Sequence, residues 1–167
     1  MQEMSSELRQ EQSKKIVCLL TGNLGFVGSA TQKMLEENGH KVIGFDIMDS
    51  KDIRDITQLE SCIVAERPDR ILHLAAIARF SEADRDPKLA FETNAIGTLN
   101  ISLVATKYHI PVVYSSTGSA IMPLNDYIPP FNEEIPARGN SIYGSTKAFG
   151  EFFIREAKPY IILRYGH

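Results

Sequence analysis

The chain has 167 residues, a formal net charge of −3, 43% hydrophobic residues and two cysteines. This length corresponds to one domain, and an acidic balance without a basic block argues against nucleic acid or an anionic membrane as the main partner. The longest apolar runs are far shorter than the roughly 18 residues that suggest a membrane span. Residues 1–15 are polar and lack the apolar core of a signal peptide, which predicts a disordered or loosely attached leader and a cytoplasmic location. Cys18 and Cys62 lie in apolar segments and are expected to be buried in a reducing compartment.

Apolar runs and helical periodicity alternate along the rest of the chain. Continuous apolar runs predict strands buried on both faces of a parallel sheet, at residues 16–21, 41–45, 70–74, 111–115 and 160–164. Apolar residues at helical spacing predict helices at residues 24–38, 56–66, 87–108 and 141–156. This alternation, with right-handed crossovers, predicts an α/β fold over residues 16–167: a Rossmann-like, doubly wound parallel sheet in a three-layer αβα arrangement.

The segment TGNLGFVG lies between the first predicted strand and the first predicted helix. Its glycines, Gly22, Gly25 and Gly28, permit a tight turn and close approach of the backbone to a pyrophosphate at the helix N-terminus. The spacing is GxxGxxG, so the motif depends on its strand–turn–helix context rather than on the usual GxGxxG pattern. Asp46 ends the second strand, where a carboxylate can accept both ribose hydroxyls of an adenosine and favours NAD over NADP. The alternative for Asp46 is a solvated turn residue.

Tyr143 and Lys147 begin the last predicted helix with the spacing YxxxK, which places both side chains on one helical face. A free tyrosine has a pKa of about 10 and is a poor base at neutral pH. A lysine ammonium beside the phenol would lower its pKa toward the working range of a general base. An exposed helical pair without a chemical role is the alternative.

In its ordered motifs the sequence resembles the extended branch of the short-chain dehydrogenase/reductase superfamily, the NAD-dependent epimerases and dehydratases. The motifs that carry the resemblance are TGNLGFVG at 21–28, Asp52-Ile53, HLAA at 73–76, NAIGTLN at 94–100, YSST at 114–117, YGSTK at 143–147 and Leu163-Arg164. The resemblance covers residues 15–167 and implies NAD as cofactor, a nucleotide-sugar substrate and a homodimer through the helices at 87–108 and 141–156. In this branch the last strand is normally followed by a substrate-binding region, and we expect only the N-terminal, cofactor-binding part of such an enzyme here.

The resemblance also implies roles for individual residues. At the pyrophosphate it implies Gly22, Gly25 and Gly28 together with the N–H groups of Phe26 and Val27. Asp46 would bind the adenosine ribose, Asp52 and Ile53 would contact the adenine edge, and Ala75 and Ala76 would lie beneath the cofactor. Asn94 would hydrogen-bond to the backbone and help to position the site. Thr117 would donate a hydrogen bond to the substrate oxygen, and Tyr143 would be the general base. Lys147 would hold the nicotinamide ribose and lower the pKa of the tyrosine.

These roles favour an epimerase that oxidises a sugar carbinol to a keto sugar and reduces it again on the opposite face, with 4-epimerisation the leading expectation. The residues after Thr117 contain no carboxylate, which argues against a dehydratase, whereas a keto-sugar reductase stays open. A further alternative is a truncated or partner-completed NAD-binding module without catalysis of its own. No His, Cys or carboxylate spacing suggests a metal site, and His73 is expected to be a hydrogen-bonded core histidine.

Overall fold

The computed structural model describes residues 15–121 and 132–166, and its strands form a five-stranded parallel sheet. The strands are β1 (Val17–Thr21), β2 (Lys41–Phe45), β3 (Arg70–His73), β4 (Val112–Thr117) and β5 (Tyr160–Tyr165). Their order is β2-β1-β3-β4-β5, with every neighbouring pair parallel. The predicted Rossmann-like, doubly wound α/β fold is confirmed, because the chain runs outward from β1 to β2 and then returns past β1 to β3.

The helices follow the predicted positions with two differences. They are α1 (Phe26–Glu37), α2 (Ile56–Glu66), α3 (Phe80–Arg85), α4 (Pro87–Phe91), a π-helical turn (Glu92–Ile96), α5 (Gly97–Tyr108) and α6 (Ile142–Ile154). The sequence did not predict α3, since six mostly polar residues are too few to show helical periodicity. The predicted helix at 87–108 is broken in its hydrogen-bond pattern by the π-helical turn, a feature common at functional sites.

Side-chain caps explain where several of these helices begin. The Asp55 carboxylate accepts hydrogen bonds from the N–H groups of Thr57 and Gln58 at the start of α2. The Ser141 hydroxyl accepts from the Gly144 N–H at the start of α6. Such caps satisfy N–H groups that have no partner within the helix. The cap on α6 therefore helps to define where the helix that carries Tyr143 and Lys147 begins.

The two faces of the sheet are covered unequally. Core side chains such as Leu19, Ile71 and Val112 share one face in register and pack with α2, α5 and α6. The opposite face carries α1, which lies against β1 and β2. On that face Ile161 and Leu163 of β5 are exposed, in register with Val113 and Ser115. Within the described residues the three layers are therefore complete over β1 and β2 and open over β5.

Candidate active site

A cavity of about 540 Å³ opens at the carboxyl ends of β1, β2 and β3. This is the point where the strand order reverses, the usual ligand position in a doubly wound sheet. Ten of the predicted cofactor residues line this cavity, namely Gly22, Gly25, Phe26, Val27, Gly28, Asp46, Asp52, Ile53, Ala75 and Ala76. The cavity is therefore built from three separate segments that the sequence analysis assigned to one ligand.

The turn after β1 is closed tightly around its glycines. Gly22 has φ +72°, and a Cβ there would lie 2.7 Å from the Ala75 nitrogen. A Cβ at Gly28 would lie 1.9 Å from the Gly22 oxygen, so neither position accepts a side chain. Gly25 precedes α1 without a side-chain cap, which leaves N–H groups of the first helical turn free of a side-chain partner. The turn therefore fits a pyrophosphate, which binds backbone N–H groups at a helix N-terminus.

Asp46 joins two segments of the cavity wall and is 8% exposed. One carboxylate oxygen accepts a hydrogen bond from the Leu24 N–H (3.1 Å), and the other accepts from the Met48 N–H (3.0 Å). An ionised carboxylate has about four acceptor positions, so further positions stay available to a ligand hydroxyl. The burial of Asp46 does not fit the alternative of a solvated turn residue.

Asp52 and Ile53 are held in place by residues that the sequence analysis missed. The Arg54 guanidinium donates to both oxygens of Asp52, with an Nη2–Oδ2 distance of 2.6 Å, and this hydrogen bonding lowers the pKa of the Asp52 carboxyl. The Asn100 Nδ2 donates to the backbone oxygens of Ile53 (3.1 Å) and Arg54 (3.0 Å). Ile53 packs so closely on Gly97 that a Cβ there would lie 2.6 Å from its Cδ1. The signal for Asn100 was present, because it is the last residue of the NAIGTLN motif.

Asn94 is buried at 0% exposure and does not line the cavity. Its Oδ1 accepts from the Ile77 N–H (2.8 Å), and its Nδ2 donates to the Ile77 oxygen (3.0 Å) and the Thr146 hydroxyl (3.0 Å). Asn94 therefore ties the segment that follows Ala75 and Ala76 to α6. In this structure it contacts protein backbone, as expected, and its direct assignment to the cofactor is not supported by its position.

Thr117 and Tyr143 meet where β4 ends and α6 begins. Thr117 is buried, and its hydroxyl accepts a hydrogen bond from the Ser119 N–H at 3.2 Å. The ring of Phe80, on the unpredicted helix α3, lies edge-on to the Tyr143 ring at 5.3 Å. Burial raises the pKa of Tyr143, and a hydrogen bond with the Thr117 side chain opposes this rise. The side chains of Thr117 and Tyr143 are therefore neighbours at the end of β4.

In this structure burial and the Thr117 side chain set the pKa of Tyr143, and the effect of Lys147 on this tyrosine stays a prediction. The lysine is 2% exposed, and its Nζ lies 4.2 Å from the centre of the Tyr114 ring. Burial lowers the pKa of Lys147 to about 7, while the charge of Glu151 acts in the opposite direction. The physical cause is desolvation, because burial disfavours the charged ammonium and leaves Lys147 only partly protonated at neutral pH.

His73 lies beneath the site as a fully buried core histidine, as predicted. Its ring nitrogens hydrogen-bond with the hydroxyls of Thr21 (2.7 Å) and Thr98 (2.9 Å). Burial lowers its pKa to about 3, so the ring is neutral. Cys18 is buried as expected, whereas Cys62 is partly exposed, so the prediction of two buried cysteines is wrong for Cys62.

Residues 15–121 and 132–166 also bear on two other classes of site, metal sites and membrane spans. Within these ranges the structure places no three His, Cys, Asp or Glu side chains together as a metal would need. In the same part of the chain every helix is too short or too polar to cross a membrane. The predicted leader lies outside the described residues except for Lys15, and its disorder stays a prediction.

Comparisons with known proteins agree with the geometry of the site. The family model for the NAD dependent epimerase/dehydratase family matches residues 18–167. The UDP-glucose 4-epimerase of Rhizobium meliloti is 28% identical over 165 residues, which are 88% of this chain and 50% of that protein. The chain therefore spans about half the length of the curated relatives it matches.

Solved structures give the same result. A UDP-glucose 4-epimerase from Thermotoga maritima, crystallised with UDP-glucose, has a TM-score of 0.81 and 33% identity, covering 90% of this chain and 55% of that one. A dTDP-4-dehydrorhamnose reductase from Bacillus anthracis, in complex with NADP, has a TM-score of 0.83 and 28% identity, covering 92% and 54%. The family is NAD-dependent, which agrees with the predicted cofactor. With its glycine turn, its cavity at the switch point and its family match over nearly the whole chain, this protein belongs to the NAD-dependent epimerase/dehydratase family.

Proposed function

We propose that this chain forms the cofactor-binding and catalytic part of an NAD-dependent epimerase acting on a nucleotide-activated sugar, with C4 as the reacting carbon. The observation that carries the proposal is the meeting of Thr117, at the end of β4, with Tyr143, on the helix that also carries the buried Lys147. Nucleotide-sugar epimerases and a nucleotide-sugar reductase among the similar proteins support this substrate class.

The residues of the cavity fit NAD segment by segment. The turn from Gly22 to Gly28 would hold the pyrophosphate with its N–H groups, among them those of Phe26 and Val27, and Asp46 would accept the hydroxyls of the adenosine ribose. Asp52 and Ile53 would border the adenine, Ala75 and Ala76 would lie beneath the cofactor, and Lys147 would hold the nicotinamide ribose. When bound, NAD supplies a hydride acceptor beside the sugar carbon and later returns the hydride.

The chain's own side chains would move the proton. Tyr143 would take the proton of the sugar hydroxyl as general base, and Thr117 would donate a hydrogen bond to the same oxygen. Burial raises the pKa of Tyr143, so a base at this position depends on the Thr117 hydrogen bond and on a cation nearby. The Lys147 ammonium, on the same helical face, would supply that cation. The ring of Phe80 beside Tyr143 would limit the access of water.

A keto-sugar reductase is the second candidate, because the same three side chains would serve it in reverse. The similarity to the Bacillus anthracis reductase supports this alternative. A dehydratase is less well supported, since Gly118, Ser119 and Ala120 follow Thr117 without a carboxylate. If the chain is instead an NAD-binding module without catalysis of its own, it should bind NAD as tightly as the proposed enzyme and convert no sugar.

We also propose that the active form is a homodimer through α5 and α6. Exposed apolar side chains on these helices include Leu103 (49%), Phe149 (50%) and Phe152 (66%). The rings of Phe91 and Phe149 lie 5.7 Å apart and extend this surface toward α4. An apolar area of this kind is typical of a protein interface. The cytoplasmic location stays a prediction.

The proposal is tested by analysing the products formed from UDP-, dTDP- and GDP-hexoses by proton NMR in the presence of NAD. We expect a product with inverted configuration, and a loss of about 10²- to 10⁴-fold in rate for Tyr143→Phe. Tyr160→Phe, on β5 and away from the cavity, is the matched control and should keep the rate. A wild-type protein that binds NAD in calorimetry but converts none of these sugars would overturn the proposal.

A further inference from the structure

Glu151 is a fully buried carboxylate one helical turn after Lys147 on α6. Its Oε1 accepts hydrogen bonds from the Ser116 hydroxyl (2.6 Å) and the Arg164 Nε (2.8 Å), and its Oε2 accepts from the Arg164 Nη2 (2.7 Å). The Arg155 guanidinium lies 3.7 Å from Oε2 and is half-exposed, so its effect is weakened by water. Glu151 and Arg164 thus form a bidentate, charge-assisted pair in the interior.

Titratable groups surround Lys147 on three elements, with Tyr143 one helical turn before it, and most of them are neutral. The Tyr114 ring of β4 lies beneath the ammonium, and burial raises the pKa of its phenol. His73 of β3 is neutral because burial lowers its pKa to about 3. Tyr143 of α6 is protonated, since burial also raises its pKa. Among the described residues that act on Lys147, Glu151 is therefore the one that carries a charge. Its negative charge favours the protonated ammonium form of the lysine.

We propose that Glu151 and Arg164 are positioning residues that set the charge of the Lys147 side chain. Glu151 stabilises the ammonium from one helical turn away, and Arg164 limits that stabilisation by neutralising part of the carboxylate's charge. The inference rests on the proposed function in one respect, namely that Lys147 acts on the cofactor and on Tyr143. Burial lowers the pKa of Lys147 to about 7 and the charge of Glu151 opposes this shift, so the lysine can gain or lose its proton near neutral pH.

The same contacts also hold the frame of the site, so a purely structural role has to be distinguished. Ser116, which donates to Glu151, directly precedes Thr117 on β4. The Arg164 Nη1 donates to the backbone oxygens of Ile135 (2.9 Å) and Glu133 (3.3 Å). Loss of either charge would disturb these contacts and lower the stability of the fold. The electrostatic role, by contrast, predicts that loss of the Glu151 charge and loss of the Arg164 charge shift the pKa of Lys147 in opposite directions.

The experiment compares Glu151→Gln with Arg164→Gln in protein free of cofactor and substrate. The titration of Lys147 is followed by carbon NMR of the lysine ε-position in lysine-labelled protein and is assigned with Lys147→Met. We expect the midpoint to fall in Glu151→Gln and to rise in Arg164→Gln, each by on the order of one pH unit. Ser116→Ala removes a hydrogen bond but no charge, and its midpoint should stay close to that of the wild type.

Shifts in the same direction in both charge variants, or no shift in either, would overturn the inference. If one single variant does not fold, the double variant Glu151→Gln/Arg164→Gln removes the pair without leaving an unpaired charge. Its midpoint should lie below that of the wild type, because Glu151 is the charge that favours the Lys147 ammonium, and an unchanged midpoint would contradict the inference. The titration of Lys147 is measured without turnover, so the inference can hold even if the proposed function fails. If the protein converts sugars but the two charge variants do not shift the Lys147 midpoint in opposite directions, only this inference is overturned.

Discussion

Replacement of Lys147 by methionine should make the protein more stable while removing its function. Burial lowers the pKa of Lys147 from its ordinary 10.5 to about 7, so between these values the unfolded chain binds more protons than the folded one. The free energy of unfolding contributed by this group therefore rises with pH across that window, by roughly 1.4 kcal/mol per pH unit. Methionine, which carries no charge, is expected to stabilise the fold by up to about 4 kcal/mol at pH 7 and by about 1 kcal/mol at pH 10.

The assay is urea unfolding of wild type and Lys147→Met at pH 7 and pH 10, with NAD binding measured by calorimetry at pH 7. Lys33→Met is the matched control, because the Lys33 side chain is 77% exposed and the change should stay within about 0.5 kcal/mol at both pH values. The reasoning is refuted if Lys147→Met gains no stability at pH 7, or if its gain is the same at both pH values. The same variant should also bind NAD more weakly, since it lacks the group proposed to hold the nicotinamide ribose.

Three further predictions concern the cavity and the surface. Asp46→Ala should weaken NAD binding by about 10- to 100-fold and relax the discrimination against NADP. Calorimetry with both cofactors measures this, with the exposed Asp49→Ala as the control. Unchanged affinities would contradict the ribose role of Asp46. Gly97→Ala should lower the free energy of unfolding by about 1–3 kcal/mol and weaken NAD binding, because the new Cβ would lie 2.6 Å from the Ile53 Cδ1. Adding Ile53→Ala to the same chain should restore part of the stability measured by urea unfolding. If no stability is recovered, this clash is ruled out. Phe152→Glu should shift a dimer toward monomer in sedimentation analysis, whereas an unchanged mass would exclude α6 from the interface.

The strands and most helices could be predicted because local patterns determine them. A strand buried in a parallel sheet is a continuous apolar run, and the predicted boundaries agree with β1 to β5 to within two residues. The glycine turn was also readable, since Gly22 and Gly28 occupy positions that accept no side chain. Helix α3 was missed because Phe80–Arg85 is too short and too polar to show a period.

The electrostatics of the site could not be predicted, because they depend on contacts between distant segments. Lys147 was expected to act as a cation beside Tyr143, yet its environment is set by the Tyr114 ring, 33 positions earlier in the chain. The Glu151–Arg164 pair forms only once β5 lies next to β4 under α6. Spacing along one helix shows which side chains share a face, but it does not show how deeply the sheet buries them.

The most direct test of the account follows the hydrogen on the reacting carbon. NAD-loaded protein is incubated with the nucleotide-hexose that it converts, carrying deuterium at C4, and the product is examined by NMR and mass spectrometry. The account predicts a product with inverted configuration at C4 that keeps the deuterium on that carbon, formed about 10²- to 10⁴-fold more slowly by Tyr143→Phe. Inversion with loss of the deuterium to solvent, or formation of the same product by Tyr143→Phe at the wild-type rate, would contradict it.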